Sequence, residues 1–123
     1  MIIYSCYSTS PLLSIPDDNL FRLVPNDFQQ GPIDAKMVWE YGVDAVATLH
    51  GADAYGDGIY NVFSKTYVDD WGGVLLEGAQ MRVPVGESEM STYLDAMNTA
   101  IEDAIPVYGK NHVGVYSFPE VFN

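Results

Sequence analysis

The polar, glycine-rich segment at residues 50–58, His-Gly-Ala-Asp-Ala-Tyr-Gly-Asp-Gly, carries the side chains best placed to contact a small molecule. It joins an apolar run to an amphipathic helical pattern, and so it predicts the loop between a strand and a helix. In a parallel α/β sheet such a loop lies at the carboxyl end of a strand, where ligands bind. Residues 8–11, Ser-Thr-Ser-Pro, follow another apolar run and add hydroxyl and backbone N–H groups. Together the two loops predict a small-molecule site that Tyr55 could contact.

Phosphate and calcium chemistry both fit this loop poorly. Its three glycines lack the spacing of the dinucleotide fingerprint, and the loop has no P-loop lysine. The carboxylates of Asp53 and Asp57 would also repel a phosphate. A calcium loop would need an oxygen ligand where Tyr55 stands and a bidentate glutamate where Ser64 stands. We therefore interpret Asp57 as a helix cap, whose carboxylate accepts hydrogen bonds from N–H groups of the first turn.

No arrangement of catalytic residues is evident. His50 and His112 are isolated, and the sequence shows no Cys-His or Ser-His-Asp spacing. The acidic residues are scattered over predicted solvated faces. The sequence therefore predicts a binding protein rather than an enzyme, with no metal and no cofactor.

Composition limits the class of protein and of partner. The chain has 123 residues, of which 48% are hydrophobic, as expected for one domain with a modest core. Seventeen acidic residues against five basic ones give a net charge of −12, which repels nucleic acid. Cys6 is the single cysteine, so no disulfide forms within the chain. No apolar run suits a membrane helix or a signal peptide, and we expect a cytoplasmic location if the chain is complete as written.

Short apolar runs alternate with helical patterns along the chain. The strand predictions cover residues 2–7, 20–24, 43–49, 74–77 and 112–118. The run at 43–49 is nearly continuous in apolar residues, as expected for a parallel strand that is covered on both faces. Residues 2–7 also suit a buried strand. The alternation predicts an α/β fold, a three-layer Rossmann-like parallel sheet flanked by helices.

Three amphipathic patterns predict the helices. The first begins at a cap on Asp27, holds Pro32 in its first turn and ends at Gly42. Its inner face is predicted to hold Ile33, Met37, Val38 and Tyr41. The second carries an apolar face of Ile59, Val62, Phe63 and Tyr67. The third carries a core stripe of Met90, Leu94, Met97, Ile101 and Ala104.

Several segments stand together in an order and spacing typical of one family. They are residues 7–11 (Tyr-Ser-Thr-Ser-Pro), 20–27 (Leu-Phe-Arg-Leu-Val-Pro-Asn-Asp) with 30–32 (Gln-Gly-Pro), 53–58 (Asp-Ala-Tyr-Gly-Asp-Gly), and 72–73 (Gly-Gly) before Val74. Over most of its length the chain thus resembles the type I periplasmic binding proteins that serve branched-chain amino acid ABC transporters. Full-length members have two similar α/β lobes that close on a ligand.

The resemblance covers only the middle of such a protein. Residues 1–26 resemble the strand and connecting loop at the end of the first lobe, and residues 27–123 resemble a partial second lobe. The resemblance implies binding of a branched-chain or similar small amino acid, or an amide, without catalysis. It also implies a membrane permease as partner and a periplasmic or extracellular location.

Four residues occupy positions that contact ligand in this family. Ser8 and Thr9 correspond to the cleft residues whose hydroxyl and backbone N–H groups hold the carboxylate and ammonium of an amino acid. Tyr55 corresponds to the aromatic that covers the ligand from the other lobe, and Phe118 to an aromatic near the end of a later strand. No acidic residue matches a partner for the ammonium.

A second hypothesis is a free-standing α/β module that self-associates and no longer serves transport. A partial lobe leaves apolar surface uncovered, and so we also expect a homodimer. Residues 2–7 belong by resemblance to the other lobe and would have no sheet of their own. We expect this strand to pair with a second copy, by edge contact or exchange.

Overall fold

The fold was analysed in a computed structural model, which describes residues 1–118. Within that range two short N-terminal strands precede three helices that alternate with three further strands. The strands are β1 (Ile3–Ser5), β2 (Leu20–Arg22), β3 (Ala45–Gly51), β4 (Val74–Val83) and β5 (Val113–Ser117). The helices are α1 (Asp27–Glu40), α2 (Ala54–Asp69) and α3 (Ser91–Tyr108), with single 3-10 turns at Pro11–Leu13 and Lys110–His112.

The main sheet has the order β4-β3-β5, and both strand pairs are parallel. Helix α3 packs against one face of this sheet, and α1 and α2 cover the other. These three layers confirm the predicted α/β class and a partial lobe of the periplasmic binding protein type. Strands β1 and β2 form a separate two-stranded parallel sheet.

Strand β3 is the centre of the molecule, and all seven of its residues are buried. Successive side chains of a strand point to opposite faces. Ala45, Ala47 and Leu49 accordingly pack in the core with α3, whereas Val46 packs with α1 and α2. Burial on both faces explains why the run is nearly continuous in apolar residues, as the sequence predicted.

Helix α1 confirms the predicted helix but corrects three of its details. Pro32 is the sixth helical residue and lies in the second turn, not the first. The cap is Asn26, whose side chain accepts a hydrogen bond from the N–H of Phe28, and Asp27 is the first helical residue. The predicted inner face is wrong in three of its four members, because only Val38 packs against the core. The others are half or more exposed: Ile33, Met37 and Tyr41.

Small residues explain which face of α1 is inward. Gly31 and Ala35 are the buried positions in the middle of the helix. A Cβ at Gly31 would lie 2.7 Å from the Val62 side chain of α2, so the two helices approach closely at this point. The close approach needs small side chains, and the large apolar residues therefore lie on the outer face.

Helix α2 carries the predicted apolar face, since Ile59, Phe63 and Tyr67 are fully buried. The prediction that Asp57 caps this helix is wrong. Asp53 is the cap, and its carboxylate accepts a 2.7 Å hydrogen bond from the N–H of Gly56. The cap falls on Asp53 because this residue has the extended backbone that a cap requires, whereas Asp57 already lies inside the first turn.

Strand β4 is longer than predicted and extends to Val83. Its pairing with β3 shifts between Val46 and Thr48, and Gly78 has a φ of +74° in the intervening bulge. In α3, Met97 and Ala104 are buried as predicted, and Met90 and Ile101 are partly buried against the same cluster. Leu94 does not belong to this core, because it is half exposed.

The N-terminal strand differs most from its prediction. It is not buried, since Ile3 is 47% exposed and Tyr4 is 68% exposed. It also has a sheet partner within the chain, because Ile3–Ser5 pairs in parallel with Leu20–Arg22. The rings of Tyr4 and Phe21 lie side by side on this small sheet, with centroids 5.6 Å apart.

Candidate ligand-binding site

A cavity of about 310 Å³ lies where the segment after β1 meets the first turn of α2. Three of the four predicted ligand residues, Ser8, Thr9 and Tyr55, line it together. They are 47 positions apart at most in sequence, and the fold brings them to one surface. Its other lining residues are Tyr7, Ser10, Leu13 and Ala54.

The loop that contains Ser8, Thr9 and Ser10 is held from three sides. The Ser10 hydroxyl donates a 2.7 Å hydrogen bond to the carbonyl of Ala54 in α2. The Thr9 carbonyl accepts a 2.9 Å hydrogen bond from the N–H of Asp27. The Ser10 carbonyl accepts one of the same length from Nη1 of Arg22, whose Nη2 donates to Ser14. These bonds fix the loop without using its outward polar groups.

Two backbone donors belong to residues of this loop that line the cavity. Within residues 1–118, the N–H groups of Thr9 and Ser10 donate to no protein acceptor. Neighbouring N–H groups of this kind suit a carboxylate, since an ionised acceptor strengthens the hydrogen bonds it receives. The carboxylate-binding role of Ser8 and Thr9 stays a prediction from the sequence.

Ser5 holds the Ser8 residue at the cavity. Oγ of Ser5 accepts a hydrogen bond from the N–H of Ser8 at 3.0 Å, and the two serine hydroxyls are hydrogen-bonded to each other at 2.6 Å. A serine hydroxyl has one proton to give. Since its oxygen also has two lone pairs, the Ser8 hydroxyl keeps hydrogen-bonding capacity for a ligand beyond its bond to Ser5.

Tyr55 belongs to the first turn of α2 and packs against the aromatic cluster between α1, α2 and β5. Tyr116 of β5 lies in the same cluster. Burial raises the pKa of Tyr116 well above its usual range, and a hydrogen bond with Asp34 and the negative charge of that residue raise it further. Tyr55 therefore lies between the cavity and the packed aromatic cluster.

The structure does not bring Phe118 to this cavity. Phe118 is only 2% exposed, and its ring packs edge-on against Phe63 and Tyr116. Its N–H continues the β5 ladder by donating to the carbonyl of Leu49. Phe118 is therefore a core residue here, and the predicted ligand contact for it is corrected on this ground.

A charged cluster that the sequence did not predict lies beside the start of α2. Arg82 of β4 donates two hydrogen bonds to Asp57, of 2.7 and 2.8 Å, in the bidentate arrangement typical of arginine and carboxylate. His50 is buried and stacks on Tyr60, with ring centroids 4.3 Å apart. Burial lowers the pKa of His50 despite the nearby carboxylate of Asp57. The hydrogen bond from Arg82 lowers the pKa of Asp57.

Asp27 is the second polar feature that the sequence missed. It is fully buried, and within the described chain neither carboxylate oxygen has a hydrogen-bond partner of normal geometry. Burial raises the pKa of Asp27, although the nearby Thr9 hydroxyl and the charge of Arg22 oppose this rise. The acidic residue thus lies directly behind a cavity residue, which spacing along the sequence could not indicate.

Residues 1–118 were found to hold neither a cluster of metal ligands nor a membrane-spanning helix. No group of three or more His, Cys, Asp or Glu side chains converges there as a metal site. No helix in that range combines the length and apolarity needed to cross a membrane.

The three layers and the parallel sheet are consistent with a partial lobe of the periplasmic binding protein fold, which a solved structure shares. No family model matches the sequence, and no curated protein is significantly similar to it. A similar solved structure is the solute-binding protein of an ABC transporter from Rhodopseudomonas palustris HaA2, in complex with p-hydroxybenzoic acid. The two share 17% identity at a TM-score of 0.63. The match covers 85% of this chain and 33% of the solved chain, so this chain spans about a third of that protein.

Proposed function

We propose that this chain supplies one part of the ligand cleft of an ABC-transporter solute-binding protein. The observation that carries the proposal is the convergence of Ser8, Thr9 and Tyr55 on one cavity of about 310 Å³. A cavity of this size is at the lower end of small-molecule sites. The fold shared with a solute-binding protein supports the same role. The action is binding and release, without catalysis or a cofactor.

The ligand we propose is a branched-chain or similar small amino acid, or a small amide. Backbone N–H groups and the Ser8 hydroxyl suit a carboxylate, and the aromatic ring of Tyr55 excludes water from the bound apolar part. In this role the full-length protein would act in the periplasm or outside the cell, and its macromolecular partner would be a membrane permease.

Binding by the chain alone is expected to be weak. The cavity is open, and two lobes are needed to bury a ligand in the proposed role. Isothermal titration with leucine, isoleucine, valine and small amides is expected to give millimolar dissociation constants, equivalent to about −4 kcal/mol. Thr9→Val, which replaces the hydroxyl by a methyl of the same shape, is expected to weaken binding about tenfold.

The control for that titration is Thr99→Val on α3, where the hydroxyl donates to its own helix and lies outside the cavity. Thr99→Val is expected to leave binding unchanged. A submicromolar constant for the isolated chain would contradict the partial cleft. Absence of binding to the whole panel, or equal effects of the two valine variants, would overturn the proposed function.

Self-association is a second candidate function, and the small β1–β2 sheet favours it. Tyr4 and Phe21 are at least half exposed on this sheet, and a two-stranded sheet is marginally stable on its own. We propose a homodimer that pairs these sheets. The net charge of −12 opposes close approach, so the dimer is expected to strengthen at high salt, where the repulsion is screened.

Light scattering between low and molar salt measures this association. Tyr4→Lys is expected to shift the dimer toward monomer, because it puts a charge on the paired surface. Tyr41→Lys makes the same change in net charge at an exposed position of the C-terminal cap of α1 and is expected to leave the dimer intact. A monomer at every salt and protein concentration would refute the dimer.

A further inference from the structure

His50 is a buried histidine at the carboxyl end of β3 whose ring nitrogens are poorly satisfied. The ring stacks on Tyr60 and faces the uncharged ring of Phe118 edge-on. Nδ1 has no hydrogen-bond partner within the described chain. Nε2 lies 3.6 Å from Oδ1 of Asp57, which is longer than an ordinary hydrogen bond. Neither nitrogen is therefore held by a strong acceptor.

Asp57 lies between His50 and Arg82, which pair with each other in the register of β3 and β4. Its two oxygens accept hydrogen bonds from Nε of Arg82 at 2.7 Å and from Nη2 at 2.8 Å. The oxygen bonded to Nε is Oδ1, the same atom that faces His50. A shift that brings Oδ1 within hydrogen-bond distance of His50 breaks the parallel alignment with Arg82. The carboxylate thus has two alternative arrangements.

The charge of His50 decides between these arrangements. Within residues 1–118, the charged groups that face it are Asp53 and Asp57 from the start of α2 and Arg82 from β4. Tyr60 faces it as a neutral group, because burial raises the pKa of its hydroxyl. Burial lowers the pKa of His50, the charge of Asp57 opposes this effect, and the charge of Arg82 adds to it. His50 is therefore neutral at pH 7, and Asp57 stays with Arg82.

The first turn of α2 connects Asp57 to the cavity. Ala54 lines the cavity, and its carbonyl accepts the 2.7 Å hydrogen bond from the Ser10 hydroxyl. Gly58 follows Asp57 and lies against Pro11, since a Cβ at Gly58 would be 2.9 Å from Cδ of that proline. A displacement of Asp57 therefore reaches the loop of residues 8–10.

We propose that His50, Asp57 and Arg82 form a pH switch, in which protonated His50 draws Asp57 away from Arg82 and displaces the first turn of α2 together with the loop of residues 8–10. Both nitrogens of an imidazolium are donors, and a buried Nδ1–H without an acceptor disfavours the present packing. The switch operates below the ordinary histidine pKa of about 6.5, because burial lowers the pKa of His50. Its effect on the ligand rests on the proposed function: the displaced loop weakens binding in mild acid.

The switch is tested by NMR on the 123-residue chain between pH 7 and pH 5, where its two histidines, His50 and His112, give separate imidazole signals. The amide signals of residues 8–10 and 54–58 are expected to shift with the midpoint of His50. His50→Phe keeps an aromatic ring on Tyr60 without a titrating group, and it is expected to abolish these shifts. His112→Phe is the matched control, because His112 is paired with Asp44 instead, and it is expected to keep them.

Arg82→Gln tests the competition for Asp57. Without the guanidinium, the carboxylate is free to pair with His50, and the His50 midpoint is expected to rise by about one pH unit, a tenfold gain in proton affinity. Lys36→Gln removes the same charge from an exposed ion pair on α1 and is expected to leave the midpoint unchanged. Equal midpoints in Arg82→Gln and wild type would overturn the switch, also if His50→Phe does not fold.

Leucine titration at pH 7 and pH 5 tests the effect on binding, since leucine keeps both of its charges in this range. The wild-type chain is expected to bind about fivefold more weakly at pH 5, the lower end of coupling between two sites. His50→Phe is expected to bind equally at both values. Asp27 is the other candidate for such an effect, because burial raises its pKa. A pH dependence that persists in His50→Phe would overturn the role of His50 in binding.

The NMR and binding results separate the two proposals. Absence of leucine binding at both pH values overturns the proposed function, and the amide signals still decide the switch. Amide signals of residues 54–58 that do not follow the His50 midpoint overturn the switch and leave the cleft in place.

Discussion

Replacing Phe63 by alanine is expected to lower the free energy of unfolding by about 3–5 kcal/mol, the range measured for buried aromatic truncations. Phe63 is fully buried at the centre of the α2 face. Its ring stacks on Tyr116, with centroids 4.4 Å apart, and on Tyr67 at 5.5 Å. It also meets Phe118 edge-on at 5.9 Å. The substitution removes three aromatic contacts and leaves a cavity between α2 and β5.

Urea denaturation measures this loss, and Phe28→Ala is the matched control. Phe28 is 56% exposed at the start of α1, so the same truncation there removes little buried surface. We expect the control to change the free energy of unfolding by less than about 1 kcal/mol. Similar losses in the two variants would show that the aromatic cluster around Phe63 does not stabilise the fold.

The elements that were predicted well from the sequence are those with a clear pattern of hydrophobic residues. Strand β3 reads as one apolar run because both of its faces are covered. Helix α2 reads as a helix because Ile59, Phe63 and Tyr67 recur at helical spacing and all face the sheet. The fold class follows from this alternation of strand and helix, and the structure confirms it.

The wrong predictions concern features that the local sequence pattern does not determine. Asp53 and Asp57 are both plausible caps in sequence, and only the backbone angles at Asp53 distinguish them. The inward face of α1 was missed because its close approach to α2 needs the small residue Gly31, whereas hydrophobicity favours the large residues on the other side. Packing between elements determines both the cap of α2 and the inward face of α1, and this packing cannot be read from the sequence of a single element.

The candidate site was predicted in part for the same reason. Ser8, Thr9 and Tyr55 all follow predicted strands, and the sequence therefore placed them together at strand ends. In the structure the three residues line one cavity. Asp27 was predicted as the helix cap, since aspartate is common at that position. Its burial behind Thr9 depends on how residues 8–10 fold back onto α1, a contact between segments that sequence spacing does not specify.

Gly56→Ala is expected to destabilise the chain by about 3 kcal/mol, the upper end for overpacked sites. A Cβ at Gly56 would lie 2.2 Å from the carbonyl oxygen of Gly51 and 2.9 Å from its nitrogen. Both atoms belong to the backbone of β3 and cannot move without distorting the central strand. Alanine is the better helix former by about 1 kcal/mol, so helix propensity alone predicts the opposite sign.

Gly58→Ala, on the same helix, separates the clash from a general effect of losing glycine. A Cβ at Gly58 would lie 2.9 Å from Cδ of Pro11 and 3.3 Å from the hydroxyl of Ser10. These atoms belong to the loop beside the cavity, which can shift outward at lower cost than β3. We therefore expect Gly58→Ala to lose less stability than Gly56→Ala but to weaken leucine binding, because the shift moves Ser10 and its neighbours away from α2. Urea denaturation and NMR titration of both variants measure the two effects, and a Gly56→Ala chain at least as stable as wild type would contradict the close approach of α2 to β3.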